Sequence, residues 1–141
     1  MTGYSLGGRK DIADQVREVL QPISSLGVRE FTFDAGMDTD NFDFLIEGVP
    51  TLVANQEPAN YMLNYHAASD TFDKVDITQL KRQVAISALT AFALADSPER
   101  VGTRQSRAQI EQLLHDTGLD EQMKDTALWP LWEKSERGRQ P

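Results

Sequence analysis

Tyr65, His66 and Asp70 are the residues of this chain whose types and spacing offer the most chemistry. His66 is one of only two histidines in 141 residues. It sits in a long polar stretch, residues 56–76, directly after a compact β-branched run. Neutral imidazole is the commonest protein ligand for zinc and similar metals. Loops that follow strands are where sites collect in α/β sheets. A carboxylate four residues on, Asp70, can accept the other ring N–H and fix the tautomer. The phenol of Tyr65 can bind or polarise a substrate. The competing reading is a loop histidine that hydrogen-bonds a turn, since one imidazole is not a metal site. His115 lies on the exposed side of a helical stretch and reads as structural. Asp34, Asp38, Asp40 and Asp43 imitate an acidic metal cluster, but a calcium loop needs a central Gly and a closing Glu. Capping and solvation account for these carboxylates, with Asp40 the exception that can face a site.

The flanking pattern predicts what holds these residues. "TGYSLGGRKD" reads as a Gly-rich turn, and without a Gly-Lys-Ser/Thr ending it is no phosphate loop. Ile12, Val16, Val19, Leu20 and Ile23 recur at helical spacing and predict an amphipathic helix over 11–23. "VREFTFDAG" alternates and reads as a short strand. A short helix follows in "DTDNFDFLIEG", capped by Asp38 or Thr39 and closed by Gly48 in a left-handed conformation. "VPTLVAN" reads as a buried strand. After the polar stretch, Asp76 with Gln79 forms a capping-box pattern ahead of a long helix. That helix is apolar on more than one side from Val84 onward, which predicts deep burial. "SPERVGTRQS" reads as a linker, Ser106 with Gln109 starts another helix, and the tryptophans of "ALWPLW" pack back on the domain. "EKSERGRQP" reads as a solvated, flexible tail. Two strands are too few for a stable sheet, so further strands are expected from another segment.

The totals set bounds. Hydrophobic residues make up 40% and charged residues 26%, as in a folded globular chain rather than a disordered one. A net charge of -8 works against nucleic acid, whose phosphates need clustered Lys and Arg. No apolar run approaches the ~20 residues that span a bilayer, and the first residues lack the apolar stretch of a secretory signal. With no cysteine, disulfides and thiolate metal sites are excluded.

Taken together, "TGYSLGGRKD" and "TDNFDFLIEGVPTLVANQEPANYMLNYHAASDTFDKVD" resemble the C-terminal part of the zinc-dependent M28 peptidases, the aminopeptidase and carboxypeptidase-Q-like enzymes. That family's pattern has Ser-Asp-His, two residues, Phe, then Gly-Ile-Pro, and later Tyr-His-Thr, two residues, Asp-Thr. Here Thr39-Asp40-Asn41 stands for the first triplet, Phe44 for the phenylalanine and Gly48-Val49-Pro50 for Gly-Ile-Pro. Tyr65-His66-Ala67 and Asp70-Thr71 match the last block. The matched stretch covers roughly residues 3 to 95.

The resemblance implies a partial three-layer α/β/α zinc-peptidase fold over 1–97, followed by a helical extension over 98–141. It implies that His66 is the last ligand of a two-zinc site, and that Asp40, Asp70 and Tyr65 support it or line the pocket. The "ANQEPANYML" loop would border a peptide substrate. A secreted or periplasmic parent is also implied, although neither amino- nor carboxypeptidase action is distinguished. The family's earlier motifs, a His-x-Asp pair and a Glu-Glu pair containing the general base, do not occur in this chain. The expectation is therefore the C-terminal piece of a longer enzyme, inactive alone, that exposes a sheet edge and an apolar face and self-associates. Two alternatives stay open. One is a non-catalytic association module that reuses the fold, and the other is a stand-alone α/β domain with a structural His66.

Overall fold

The computed structural model describes residues 1–57 and 61–141. It is a mixed α/β chain in which helices far outweigh a small sheet. β1 (Gly3–Ser5) is the central strand, flanked by β2 (Glu30–Thr32) and β3 (Val53–Asn55). β2 runs parallel to β1, with Tyr4 paired to Phe31, and β3 runs antiparallel, with Tyr4 paired to Ala54. The parallel pair needs a crossover. α1 (Ala13–Leu20) supplies it, extended at both ends by 3₁₀ turns over Lys10–Ile12 and Gln21–Leu26.

The opening residues were expected to be turn throughout. Only the Gly7–Gly8 part is; ahead of it, Gly3–Ser5 form the strand on which both others pair. Gly3 belongs there because the neighbouring backbone comes so close. A Cβ at this position would lie 1.7 Å from the Glu30 carbonyl oxygen. The expectation of two strands is corrected to three among the described residues, each only three residues long. "VPTLVAN" is also not a buried strand: β3 is half-exposed, an edge with nothing packed beyond it among the described residues.

Two apolar clusters hold the chain. The first joins Tyr4, Leu6, Ile12, Val16, Leu20, Ile23 and Val28 to Ile86 of α4 (Ile77–Asp96). Each such side chain withdrawn from water contributes roughly 1.5–3 kcal/mol. The buried Tyr4 hydroxyl donates to Thr90 Oγ1 at 2.9 Å, which fixes α4 against the sheet. Asp76 caps α4 by accepting from the Thr78 and Gln79 amides. Deep burial of α4 is not found. Ile86 and Thr90 are its only buried residues, whereas Val84 is 60% and Phe92 65% exposed. Its apolar character runs around more of the helix than the sheet and α1 can cover.

The second cluster crosses the expected boundary at residue 97. Phe42, Leu45 and Ile46 of α2 (Asn41–Ile46) pack with Ile110, Leu113 and Leu114 of α5 (Arg107–Thr117). Leu119 and Met123 of α6 (Leu119–Asp125) and Trp132 of α7 (Trp129–Glu133) complete it. Ser106 and Gln109 make the reciprocal capping box at the start of α5. Neither Asp38 nor Thr39 caps α2; the Thr39 hydroxyl is turned to Asn41 instead.

The stretch read as a linker is tied to the first cluster. Arg9 donates to the Thr103 carbonyl, and the Gly102 amide donates to Gln15 Oε1. The stretch read as a solvated tail is also held. Arg137 pairs with Asp43, the Arg139 amide donates to the Ile46 carbonyl, and Arg107 donates to the Arg139 carbonyl.

Candidate functional site

His66 lies between α3 (Tyr61–Asn64) and a 3₁₀ turn over Phe72–Lys74, in the connection from β3 to α4. Its φ is +51°, in the left-handed region that few non-glycine residues occupy. Local hydrogen bonds fix this bend. The Tyr65 amide donates to the Tyr61 carbonyl, the Ala67 amide to Asn64 and the Asp70 amide to Ala67. The imidazole stacks on the Tyr65 ring with centroids 4.0 Å apart, and Tyr65 in turn leans on Tyr61 at 5.1 Å. All three rings are exposed.

These rings open onto a cavity of about 450 Å³. Asp70 and Asp76 supply carboxylates to its wall, and Lys74 supplies an ammonium. Leu80 and Val75 give it an apolar side. Three of the residues expected at a site, Tyr65, His66 and Asp70, are therefore brought together. Asp40 is not. It stands exposed at the start of α2 and is not part of this cavity. Asp34 and Asp38 line a different, smaller hollow beside Ser5 and Asn55. Asp70 was expected to accept from the His66 ring; among the described residues, no hydrogen bond or ion pair joins them. Among the described residues, neither ring nitrogen of His66 has a hydrogen-bond partner. Of the "ANQEPANYML" loop, Pro58, Ala59 and Asn60 lie outside the described residues, while Gln56, Glu57 and Tyr61 border the cavity.

A catalytic zinc takes three protein ligands and keeps an open position. Among the described residues, no group of three or more His, Cys, Asp or Glu is placed to hold a metal ion. The described residues by themselves do not make up the ligand set of a catalytic zinc, and no hydrolytic step is derived from them.

His115 is exposed on α5 and reaches the first turn of α6. Its Nδ1 lies 2.8 Å from Asp120 Oδ2, and the Lys124 ammonium lies 3.1 Å from the same oxygen. Asp120 is buried. Burial alone would raise its pKa, but the hydrogen bonds from Lys124 and His115 outweigh it and hold the carboxyl below the usual value. The folded pKa being the lower one, ionised Asp120 stabilises the fold above the unfolded value of about 3.9, and this contribution is lost as pH falls through the folded value. Asp120→Asn is therefore expected to melt below the parent chain at pH 7. The gap should close in the acid range, below about pH 4. Calorimetric melts across pH test this, and a gap that persists unchanged in acid would refute the charge-based account.

A second cavity, of about 950 Å³, was not anticipated. It separates the turn after β1 and the end of β2 from the polar face of α5, where Gln109, Gln112 and Asp116 recur at helical spacing. That spacing was visible in the sequence, but the juxtaposition with Asp34 and Lys10 arises only from the fold. No family model matches the chain, and neither a curated protein nor a solved structure does.

Proposed function

We propose that this chain is the C-terminal portion of a zinc metallopeptidase of the M28 type, to which it contributes His66 as a metal ligand and Tyr65 and Asp70 as walls of the peptide pocket. The reading rests on the matched motifs, from Thr39-Asp40 through Gly48-Val49-Pro50 to Tyr65-His66 and Asp70-Thr71. One structural observation carries it. His66 is turned into a left-handed backbone conformation, and its imidazole, without a hydrogen bond among the described residues, lines a cavity. Unusual backbone conformations at exposed polar residues gather at functional sites. In this reading the sheet and its helices are one part of a three-layer α/β/α domain. A second segment, bearing the His-x-Asp and Glu-Glu motifs, supplies the remaining ligands and the general base. Zinc, when held by the complete set, would lower the pKa of bound water and polarise the scissile carbonyl.

The rival reading is a non-catalytic association module on the same fold, and it draws on the outward apolar side of α4. Calorimetry with zinc separates the two. The chain alone is expected to bind zinc weakly. Mixed with a segment carrying the two missing motifs, it should bind two ions and hydrolyse peptides, and both gains should vanish in His66→Ala. Zinc binding and hydrolysis that survive His66→Ala would sink the assignment of this residue. Failure of every such mixture to bind metal would favour the association module.

A further inference from the structure

α4 carries a long outward stripe that nothing covers among the described residues. Ile86 and Thr90 face the first cluster. On the opposite side of the helix, at about 100° per residue, stand Ile77, Lys81, Val84, Ala88, Phe92 and Ala95, and all are exposed. From residue 83 to residue 95 the helix has no charged side chain, in a chain of net charge -8.

From this we infer that the outward stripe of α4 is a dimer interface, packed antiparallel against the same stripe of a second copy about a two-fold axis at Ala88. A two-fold interface must be complementary to itself, and this stripe is. With the axis at Ala88, Val84 of one copy meets Phe92 of the other, a medium side chain against a large one. Ala88 meets Ala88, and a pair of small residues at the crossing lets the helices approach closely. Lys81 comes opposite Ala95 and beside Asp96, so the only cation on the stripe meets a carboxylate at the far end of the partner helix. A parallel arrangement would instead set Lys81 against Lys81. Helix-on-helix packing of this kind is the usual way an apolar stripe is removed from water. The contact is modest, about 30 Å long and 10 Å wide, against the roughly 800 Å² per partner of a standard interface. A micromolar dimer is the corresponding expectation. The inference does not depend on the peptidase reading, since it uses only α4 and the net charge.

Sedimentation of the purified chain across the micromolar range tests it. The parent chain should pass from monomer to dimer. Ala88→Glu, an exposed change at the crossing, should leave the circular dichroism melt in place and abolish the dimer. Lys81→Glu and Asp96→Lys should each weaken association by about tenfold, because two symmetry-related pairs turn repulsive. The two changes together should restore it. A parent chain that stays monomeric, a dimer that survives Ala88→Glu, or a charge swap that restores nothing would each overturn the inference.

Discussion

Trp132→Ala is expected to destabilise the chain by about 3–5 kcal/mol, the usual cost of emptying a large aromatic site in a core. Trp132 is only 1% exposed, and every element of the second cluster reaches it or its neighbours. The Arg107 guanidinium lies 3.9 Å from its ring centroid, over the ring face. The same guanidinium donates to the Trp132 carbonyl. Truncation therefore removes apolar burial and leaves a cation without its aromatic platform. Gly138 also abuts the ring, and a Cβ there would come within 2.7 Å of it. Because Phe42, Leu45 and Ile46 share this cluster, α2 should loosen together with α5–α7. Urea unfolding followed by circular dichroism reads the change. A loss below about 1 kcal/mol, typical of surface positions, would mean that the cluster does not anchor the C-terminal helices.

Gly48→Ala should cost about 2–4 kcal/mol, from a left-handed backbone conformation plus a steric conflict in a packed region. Gly48 has φ +79° and sits just past the end of α2. A Cβ there would lie 2.5 Å from the Gln105 carbonyl oxygen. That oxygen belongs to backbone and cannot swing aside, because the Gln105 amide is bonded to the Gly48 carbonyl at 2.9 Å. Gly118 provides the control. Its φ is +71°, but nothing lies within 4 Å of the Cβ position. Gly118→Ala should thus show the conformational cost alone, roughly 1–2 kcal/mol. Equal losses at the two sites, measured by the same urea unfolding, would show that the contact between Gly48 and Gln105 yields without cost.

Local signals in the sequence located the elements whose cause is local. The spacing of Ile12, Val16, Val19 and Leu20 marks α1, and Ser106 with Gln109 marks the start of α5. Gly48 marks the end of α2. β1 was hidden because Gly-Tyr-Ser has little strand preference of its own. It is a strand because β2 and β3 pair with it on both sides, and strand preference is largely a matter of such surroundings. Burial of α4 was misjudged for a related reason. Its composition is apolar all round, and composition cannot say how many faces find a neighbour. At the candidate site, proximity in sequence placed Tyr65, His66 and Asp70 in one cavity. Asp40 belongs to the start of α2, and no pattern of residues in that stretch could indicate that the fold leaves it out of the cavity lined by His66.

The bond between Arg137 and Asp43 closes a loop of 94 residues. Its meaning changes when the chain is considered as something made in order, from the first residue to the last. At roughly 5–20 residues per second of synthesis, α2 waits on the order of 5–20 s after emerging before the segment that fastens it exists. For most of that interval, until Ile110, Leu113 and Leu114 have been made, Phe42, Leu45 and Ile46 have no cluster to enter. The first cluster needs only residues up to Ile86 and can form earlier. The newborn chain thus matures in two steps, and it is most exposed to chaperones, proteases and mispairing in the seconds between them.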